Sequence, residues 1–210
     1  MILHSYWRSG AAYRTRIALN LKGLAYEQVG IDLRTGAQKS AAFVALNPQG
    51  MVPALSIDGA LLTQSPAILE WLEEAHPSPA LLPSSALDRA HVRAMSALIG
   101  CDIHPLNNLR VGKALRETFG ADQAAVDAWA ARWMAPGFDA LEALVRRHGI
   151  GWCFGDAPTL ADCYLIPQIY SARRFNVALD AFPGLLAIDE AAARHPAFSA
   201  AHPDAQPDAD

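Results

Sequence analysis

The chain is poor in the features that mark several large classes of protein. Among its 210 residues there are only three cysteines, Cys101, Cys153 and Cys163, an odd number with no CxxC pair. We therefore expect neither a disulfide framework nor a zinc site, and we predict reduced thiols and a cytoplasmic location. The missing CxxC also disfavours a thioredoxin-type redox enzyme.

Excess positive charge and long apolar runs are missing as well. The 17 basic residues are outnumbered by 21 acidic ones, which gives a net charge of −4, whereas nucleic-acid-binding domains usually carry a basic face. No uncharged apolar run approaches the roughly 20 residues of a membrane span, and the opening MILHSYWRSG is unlike a signal peptide. We predict no nucleic-acid partner, no membrane partner and, without a GxGxxG or P-loop motif, no nucleotide.

The composition that remains is that of a globular protein, with 52% hydrophobic and 18% charged residues. Over the first third, strand-like and helix-like segments alternate in the order β-α-β-α-β-β-α. Gly23 is expected to end the first helix, and Asp58-Gly59 is a strong hairpin signal between the last two strands. This order predicts a mixed four-stranded sheet with helices packed on it.

The rest of the chain has helical patterns. The segment HPSPALLPSSALD predicts a linker because it is rich in proline and serine. Periodic helical patterns then follow over 89–116, 122–147, 159–173 and 184–193. Thr159 and Asp162 have the spacing of a capping box at a helix start. We predict an α/β domain over 1–77, a linker over 78–88 and an all-helical domain over 89–210, whose closing AAHPDAQPDAD is a surface-hugging or loose end.

The turn Arg8-Ser9-Gly10-Ala11 joins the first strand to the first helix and carries one hydroxyl. The N–H groups of a first helical turn are unpaired and lie at the positive end of the helix dipole, so a hydroxyl there helps to stabilise an anion. From the residues alone, Ser9 is either a plain N-cap or the binding group for a thiolate. Arg14 and Arg16, on opposite sides of the helix, are expected to be ion-paired or solvated.

Two stretches near the third and fourth strands are further candidates. A proline within a central strand lacks a donor, so Val52-Pro53 is an edge feature or a cis bond. A cis bond would turn the Val52 backbone groups outward, where they can pair with a peptide-like ligand. After Gln64, Ser65 is expected as an N-cap with Pro66 at the first helical position. This helix start is either a plain structural cap or a site for a carboxylate.

In the helical part, CDIHPLNNLR places His104, Asn108 and other polar residues in one short stretch. Pro105 is expected to interrupt the helix, and such a break commonly exposes polar groups to a cavity. The alternative is an exposed polar helix end with a satisfied histidine. A metal site is not expected, because no second histidine lies at ligand spacing.

Five stretches together resemble the zeta class of glutathione transferases, and the resemblance covers nearly the whole chain. They are YWRSGAAYRTRIALNLKG, LNPQGMVPAL, QSPAILEWLEE, CDIHPLNNLRV and PTLADCYLIPQIYSARRFNV. The resemblance implies the glutathione transferase fold, with a thioredoxin-like domain followed by an all-helical domain that closes the pocket from the other side. It also implies a homodimer, glutathione as cofactor and a small dicarboxylate as substrate.

The resemblance assigns roles to individual residues. Ser9 would be catalytic and face the glutathione sulfur. The glutathione contacts would be Ser9, Gly10, Ala11, Gln38, Val52, Pro53, Gln64, Ser65, His104 and Asn108. The substrate contacts would be Arg8, Asn108 and Arg174, since two guanidinium groups suit two carboxylates; a plain surface arginine is the alternative for Arg174. Where the zeta pattern often reads Ser-Ser-Cys, this chain has Ser9-Gly10-Ala11, which removes any covalent or redox role for a cysteine there.

The activity implied by the resemblance is glutathione-dependent isomerisation of maleylacetoacetate to fumarylacetoacetate, in the breakdown of tyrosine, phenylalanine or homogentisate. The motifs scarcely separate this reaction from isomerisation of maleylpyruvate in aromatic-acid breakdown. A conjugating transferase would use the same thiolate but consume glutathione. A non-catalytic binding module would be marked by loss of Ser9 or of Gln64-Ser65, and all three residues are present.

Overall fold

The computed structural model describes all residues from 1 to 210, and the chain divides into two compact units. The first contains Met1–Ala80 together with Ala193–Asp210, and the second contains Leu81–Ala192. The end of the chain therefore belongs with the sheet, whereas the sequence placed it in a helical domain over 89–210.

The first unit is built on the predicted mixed sheet. Its elements are β1 (Ile2–Ser5), α1 (Gly10–Leu21), β2 (Glu27–Gly30), a 3₁₀ turn (Ala37–Lys39), α2 (Ala41–Leu46), β3 (Ala54–Ile57), β4 (Ala60–Thr63) and α3 (Ser65–Ala75). The strand order is β2-β1-β3-β4. The β1–β2 pair is parallel, whereas β1–β3 and β3–β4 are antiparallel. The expected β-α-β-α-β-β-α order of a thioredoxin-like domain is confirmed.

The turn signals of this unit are also confirmed. Asp58 and Gly59 have φ angles of 48° and 86°, so both central residues of the hairpin adopt the left-handed conformation that a two-residue turn of this kind requires. Gly23 has a φ of 66° directly after the α1 C-cap, as a helix-ending glycine should. The Val52-Pro53 peptide bond is cis.

The second unit is helical. Its elements are α4 (Ala86–Ala97), a π-helical stretch (Leu98–Ile103), α5 (Leu109–Phe119), α6 (Gln123–His148), α7 (Leu160–Arg174) and α8 (Pro183–Arg194), whose last residues lie in the first unit. The helical pattern predicted over 89–116 is formed by α4, the π-helical stretch and α5, and the break expected near Pro105 is confirmed. The other three helices are confirmed to within one residue at each end. None of the helices combines the length and the apolar character that a membrane crossing requires.

The predicted capping box at the start of α7 is confirmed. The Asp162 carboxylate accepts hydrogen bonds from the Thr159 backbone N–H at 2.7 Å and the Thr159 hydroxyl at 2.8 Å. It also accepts one from the Cys153 N–H at 2.8 Å. Burial raises the pKa of the Asp162 carboxyl above its ordinary value, although these donors act in the opposite direction. Burial likewise raises the pKa of the Cys153 thiol.

The final segment packs on the first unit, so of the two expected alternatives the surface-hugging end is confirmed and the loose end is wrong. It forms α9 (Pro196–Ala201) and a 3₁₀ turn (Pro203–Ala205), and α9 packs against α1. The Asp208 carboxylate accepts hydrogen bonds from the Trp7 N–H and the Gln28 amide, both at 3.0 Å. These long-range hydrogen bonds hold the end of the chain beside the turn that follows β1.

Candidate functional site

Ser9 is the N-cap of α1. Its backbone is extended, with φ −68° and ψ 116°, and its hydroxyl oxygen accepts a hydrogen bond from the Ala12 N–H at 3.3 Å. A hydroxyl that accepts in this way still has its own O–H to donate. Because the first turn of α1 contains no acidic residue, nothing offsets the positive end of the helix dipole there. Ser9 is therefore both a cap and a suitable donor to an anion.

Arg8 is held beside this turn by aromatic neighbours. Its guanidinium carbon lies 4.6 Å from the centre of the Trp7 ring, within the range of a cation–π contact. One of its nitrogens donates to the Tyr6 hydroxyl at 3.4 Å. Arg8 is half-buried, and these two contacts hold its positive charge against Trp7 and Tyr6.

Arg14 and Arg16 were expected to be either ion-paired or solvated. Both are buried, so the solvated alternative is wrong. Arg16 donates to the Ser5 hydroxyl at 3.1 Å, and to the backbone carbonyls of Trp7 at 2.9 Å and Ala201 at 3.0 Å. It therefore fixes the backbone between β1 and Ser9. The sequence carries no clear signal for this role, because the Ala201 carbonyl that Arg16 meets lies far along the chain.

The start of α3 differs from the prediction. Gln64 is the N-cap, and Ser65 and Pro66 are the first two helical residues, so the assignment of Ser65 as N-cap and Pro66 as first helical residue is wrong by one position. Gln64 has a φ of 66°, a strained value for a residue other than glycine and one that is enriched at ligand sites. This conformation turns the chain sharply from β4 into the helix. Ser65 is consequently buried, and its hydroxyl accepts from Arg14 at 3.0 Å.

Gln38 and Val52 lie in neighbouring parts of the same unit. Gln38 is in the 3₁₀ turn, and its side-chain oxygen is buried without a hydrogen-bond partner. A Cβ at Gly50 would lie 2.8 Å from the Gln38 carbonyl, so the two segments touch. Pairing of β3 begins at Ala54, which leaves the Val52 backbone outside the ladder. The Val52 side chain packs in one apolar cluster with Tyr6, Trp7 and Phe43, next to buried Pro53.

Direct hydrogen bonds tie the start of α3 to other parts of the first unit. The Arg14–Ser65 hydrogen bond joins α1 to the start of α3, and the Gln64 amide donates to the Gln49 side chain at 2.7 Å. The helix N-terminus that carries Ser65 is thus tied to α1, the helix whose own N-terminus carries Ser9. Such donors suit anions, whereas no cluster of His, Cys, Asp or Glu is arranged to hold a metal ion.

In the second unit, His104 and Asn108 flank the break between the π-helical stretch and α5. The His104 N–H donates to the Ile99 carbonyl at 2.8 Å, five residues back, which is the spacing of a π-helix. Asn108 is the N-cap of α5, and its side-chain oxygen accepts from the Arg110 N–H at 3.1 Å. Its amide NH₂ remains a donor. Asn107, to which the sequence assigned no role, has a buried amide nitrogen without a hydrogen-bond partner.

Arg174 is the last residue of α7 and is exposed. The preceding Arg173 forms a salt bridge with Asp189 at 2.6 Å. Two residues after Arg174, the Asn176 side chain donates to Asp127 of α6 at 3.1 Å. This hydrogen bond fixes the end of α7 relative to α6.

Comparison with known proteins identifies the family. Residues 8–75 match the N-terminal domain and residues 123–200 the C-terminal domain of glutathione S-transferase. A maleylacetoacetate isomerase of Pseudomonas aeruginosa is 53% identical, covering 99% of this chain and 98% of that protein.

Two solved structures extend this likeness. A holo maleylpyruvate isomerase, described as a bacterial zeta-class glutathione S-transferase, is 53% identical with a TM-score of 0.98 over 100% of both chains. A maleylacetoacetate isomerase from Anaeromyxobacter dehalogenans with bound glutathione is 49% identical, with a TM-score of 0.91 over 100% of this chain and 97% of the other. The chain belongs to the glutathione S-transferase family, within its zeta class.

Proposed function

We propose that this chain catalyses the glutathione-dependent cis–trans isomerisation of maleylacetoacetate to fumarylacetoacetate. The observation that carries the proposal is the start of α1, where the Ser9 hydroxyl lies at a helix N-terminus with no acidic residue in its first turn. Arg8, the preceding residue, holds its guanidinium over the Trp7 ring. Such a site stabilises a thiolate. Relatives with the same fold and about half of the residues in common carry this activity in their names.

Glutathione is the cofactor, and the donor set of the first unit fits a peptide-like anion. The unpartnered Gln38 oxygen is an acceptor for an ammonium or amide group. We propose that the Val52 backbone, preceding Pro53, pairs with the peptide part of glutathione. Gln64 and Ser65, at the start of α3, would hold a carboxylate. His104 and Asn108 of the helical unit are proposed as further contacts.

The residues of the α1 turn would act on the sulfur. When bound, glutathione supplies a thiolate that adds reversibly to the conjugated double bond, so that the bond becomes single and can rotate. The Ser9 O–H and the N–H groups of Gly10 and Ala11 would keep the sulfur ionised. Lowering a thiol pKa by about 2 units takes only about 2.7 kcal/mol, which a few oriented donors supply.

The acid groups of the substrate would be held by arginine and amide donors. Arg8 and Arg174 are proposed to bind carboxylates, since a guanidinium grips a carboxylate through two parallel hydrogen bonds. The free NH₂ of Asn108 would donate to the oxygen on which negative charge develops. The substrate class is therefore a small unsaturated dicarboxylate.

Replacement of Ser65 by alanine should weaken glutathione binding while leaving turnover at saturating glutathione nearly unchanged. The hydroxyl lies at the start of α3 and contributes about one hydrogen bond, so the Kd rises about 3- to 10-fold. Isothermal titration calorimetry measures this change. Ser96→Ala is a matched control, because Ser96 is also buried but its hydroxyl donates within α4 to the Val92 carbonyl. Equal Kd values for both variants would contradict the assignment of Ser65.

Replacement of Arg174 by glutamine should raise the KM for the acid substrate about 10-fold or more, because a charge-assisted hydrogen bond is lost, and should leave the Kd of glutathione unchanged. Steady-state kinetics with saturating glutathione gives this KM. Arg173→Gln is the matched control, since the neighbouring side chain pairs with Asp189. A rise in KM of the same size in both variants would contradict the assignment of Arg174 to the substrate site.

Isomerisation of maleylpyruvate is the second candidate, because a maleylpyruvate isomerase of the same fold is as similar as the maleylacetoacetate isomerases. Purified protein assayed by absorbance with each acid, with and without glutathione, distinguishes the two. A higher kcat/KM for maleylacetoacetate supports the proposal, and a higher value for maleylpyruvate replaces it with the alternative.

We propose in addition that the protein is a cytoplasmic homodimer. The odd number of cysteines, with Cys101 exposed, suits a reducing compartment. Membership of this family supports the proposed dimer, and light scattering coupled to size-exclusion chromatography tests it. A mass close to the 22.5 kDa of one chain would contradict it.

A further inference from the structure

Residues 104–108 form the irregular segment between the π-helical stretch and α5, which we name the break loop. It contains both proposed ligand residues of the helical unit, His104 and Asn108. In the middle of this loop, the Leu106 carbonyl accepts a hydrogen bond of 2.8 Å from the indole N–H of Trp129 on α6. A tryptophan indole has only this one donor, so the single side-chain hydrogen bond of Trp129 goes to the break loop.

The helix that supplies this hydrogen bond is itself fixed. Val126 and Ala130, on either side of Trp129, are buried with 4% and 1% of their surfaces exposed. Two turns further along α6, a Cβ at Gly137 would lie 2.4 Å from the Ile103 side chain, so α6 directly abuts the end of the π-helical stretch. The break loop is therefore held by α6 at its start through close packing and at its centre through a hydrogen bond.

We infer that Trp129 is a positioning residue for the proposed reaction, which orients His104 and Asn108 by holding the Leu106 carbonyl. This inference rests on the proposed function, since it takes those two residues as ligand contacts. A segment without regular backbone pairing samples several conformations, and an external hydrogen bond reduces the ordering cost that ligand binding must overcome. Trp129 acts through the loop and does not itself touch the reacting atoms.

The test replaces Trp129 by phenylalanine, which keeps an aromatic ring but removes the N–H donor. Calorimetry should show a Kd for glutathione about 3- to 10-fold higher than in the wild-type protein, the factor that one hydrogen bond contributes. Trp133→Phe is the matched control, because Trp133 lies on the same helix with its ring centre 5.7 Å from that of Trp129 and is 38% exposed. Its Kd should equal the wild-type value. A Kd for Trp129→Phe equal to that of the control overturns the inference.

Nuclear magnetic resonance gives a second reading that a purely structural role would not produce. The chain has five tryptophans, and the indole N–H signal that disappears in Trp129→Phe identifies the one of Trp129. In the wild-type protein this signal should shift when glutathione is added, since ligand contacts at His104 and Asn108 act on the hydrogen bond to Leu106. If Trp129→Phe does not fold, the signal is assigned by selective labelling in the wild-type protein. A Trp129 indole N–H signal that does not move when glutathione is added overturns the inference.

The result is distinguishable from a failure of the proposed reaction. A wild-type protein that binds glutathione but isomerises neither acid contradicts the reaction, while the comparison of Kd values still decides the role of Trp129. A wild-type protein that binds no glutathione overturns both.

Discussion

Replacement of Ser9 by alanine should lower the turnover number about 100-fold or more, the loss expected when one donor to a developing anion is removed. The variant keeps the backbone N–H groups of Gly10 and Ala11 but loses the hydroxyl that is proposed to face the glutathione sulfur. The Kd of glutathione should change much less, because most of its proposed contacts lie elsewhere. Single-turnover and steady-state rates, together with calorimetry, separate the two effects.

Loss of a helix cap is the main alternative explanation for a slow Ser9 variant. Ser9 accepts from the Ala12 N–H at 3.3 Å, and Ser85 at the start of α4 accepts from the Asp88 N–H at 3.4 Å. Ser85→Ala therefore removes an equivalent cap from a helix without a proposed ligand. Both variants should lose about 1 kcal/mol of stability, but only Ser9→Ala should lose turnover. A turnover number near the wild-type value in Ser9→Ala would contradict the proposed catalytic role of Ser9.

Replacement of Asp162 by alanine should lower the free energy of unfolding by about 3 to 4 kcal/mol, because three buried donors lose a charged acceptor. Those donors are the N–H and hydroxyl of Thr159 and the N–H of Cys153. Asp162 is fully buried, so water does not replace the lost hydrogen bonds. Urea unfolding followed by circular dichroism measures the change.

Asp122→Ala is the matched control for this effect. Asp122 is the N-cap of α6 and accepts from the Ala125 N–H at 2.8 Å, but it is exposed. Its loss should cost about 1 kcal/mol, the usual value of a helix cap. A loss of stability in Asp162→Ala no greater than in Asp122→Ala would show that burial of the capping box adds nothing.

Several features of the fold could be predicted because the physics that sets them is local. The positive φ angles of a two-residue hairpin select residues such as Asp58-Gly59, and a capping box requires residues three apart, as Thr159 and Asp162 are. The break near Pro105 follows from the missing proline donor. In each case a few neighbouring residues determine the conformation, so the sequence alone is sufficient.

Other features depend on partners that are distant in sequence. Burial of Arg16 requires the Ala201 carbonyl, 185 positions away, and the ordered end of the chain requires the hydrogen bond from the Trp7 N–H to Asp208. The left-handed φ of Gln64 has no sequence signal, because only glycine, asparagine and aspartate adopt it readily. Distance in sequence also explains why His104 and Asn108 could be singled out but Trp129 could not. The hydrogen bond from Trp129 to Leu106 spans 23 positions.

Glutathione is expected to act as a cofactor that is regenerated in each cycle. The most direct measurement is to mix the purified protein with excess maleylacetoacetate and a small, limiting amount of glutathione, and to follow both isomerisation and free thiol. We predict that many substrate molecules are converted per glutathione and that the thiol concentration stays constant. Conversion that stops at one substrate per glutathione with loss of the thiol would show that glutathione is consumed, and no conversion by folded protein would overturn the proposed isomerisation.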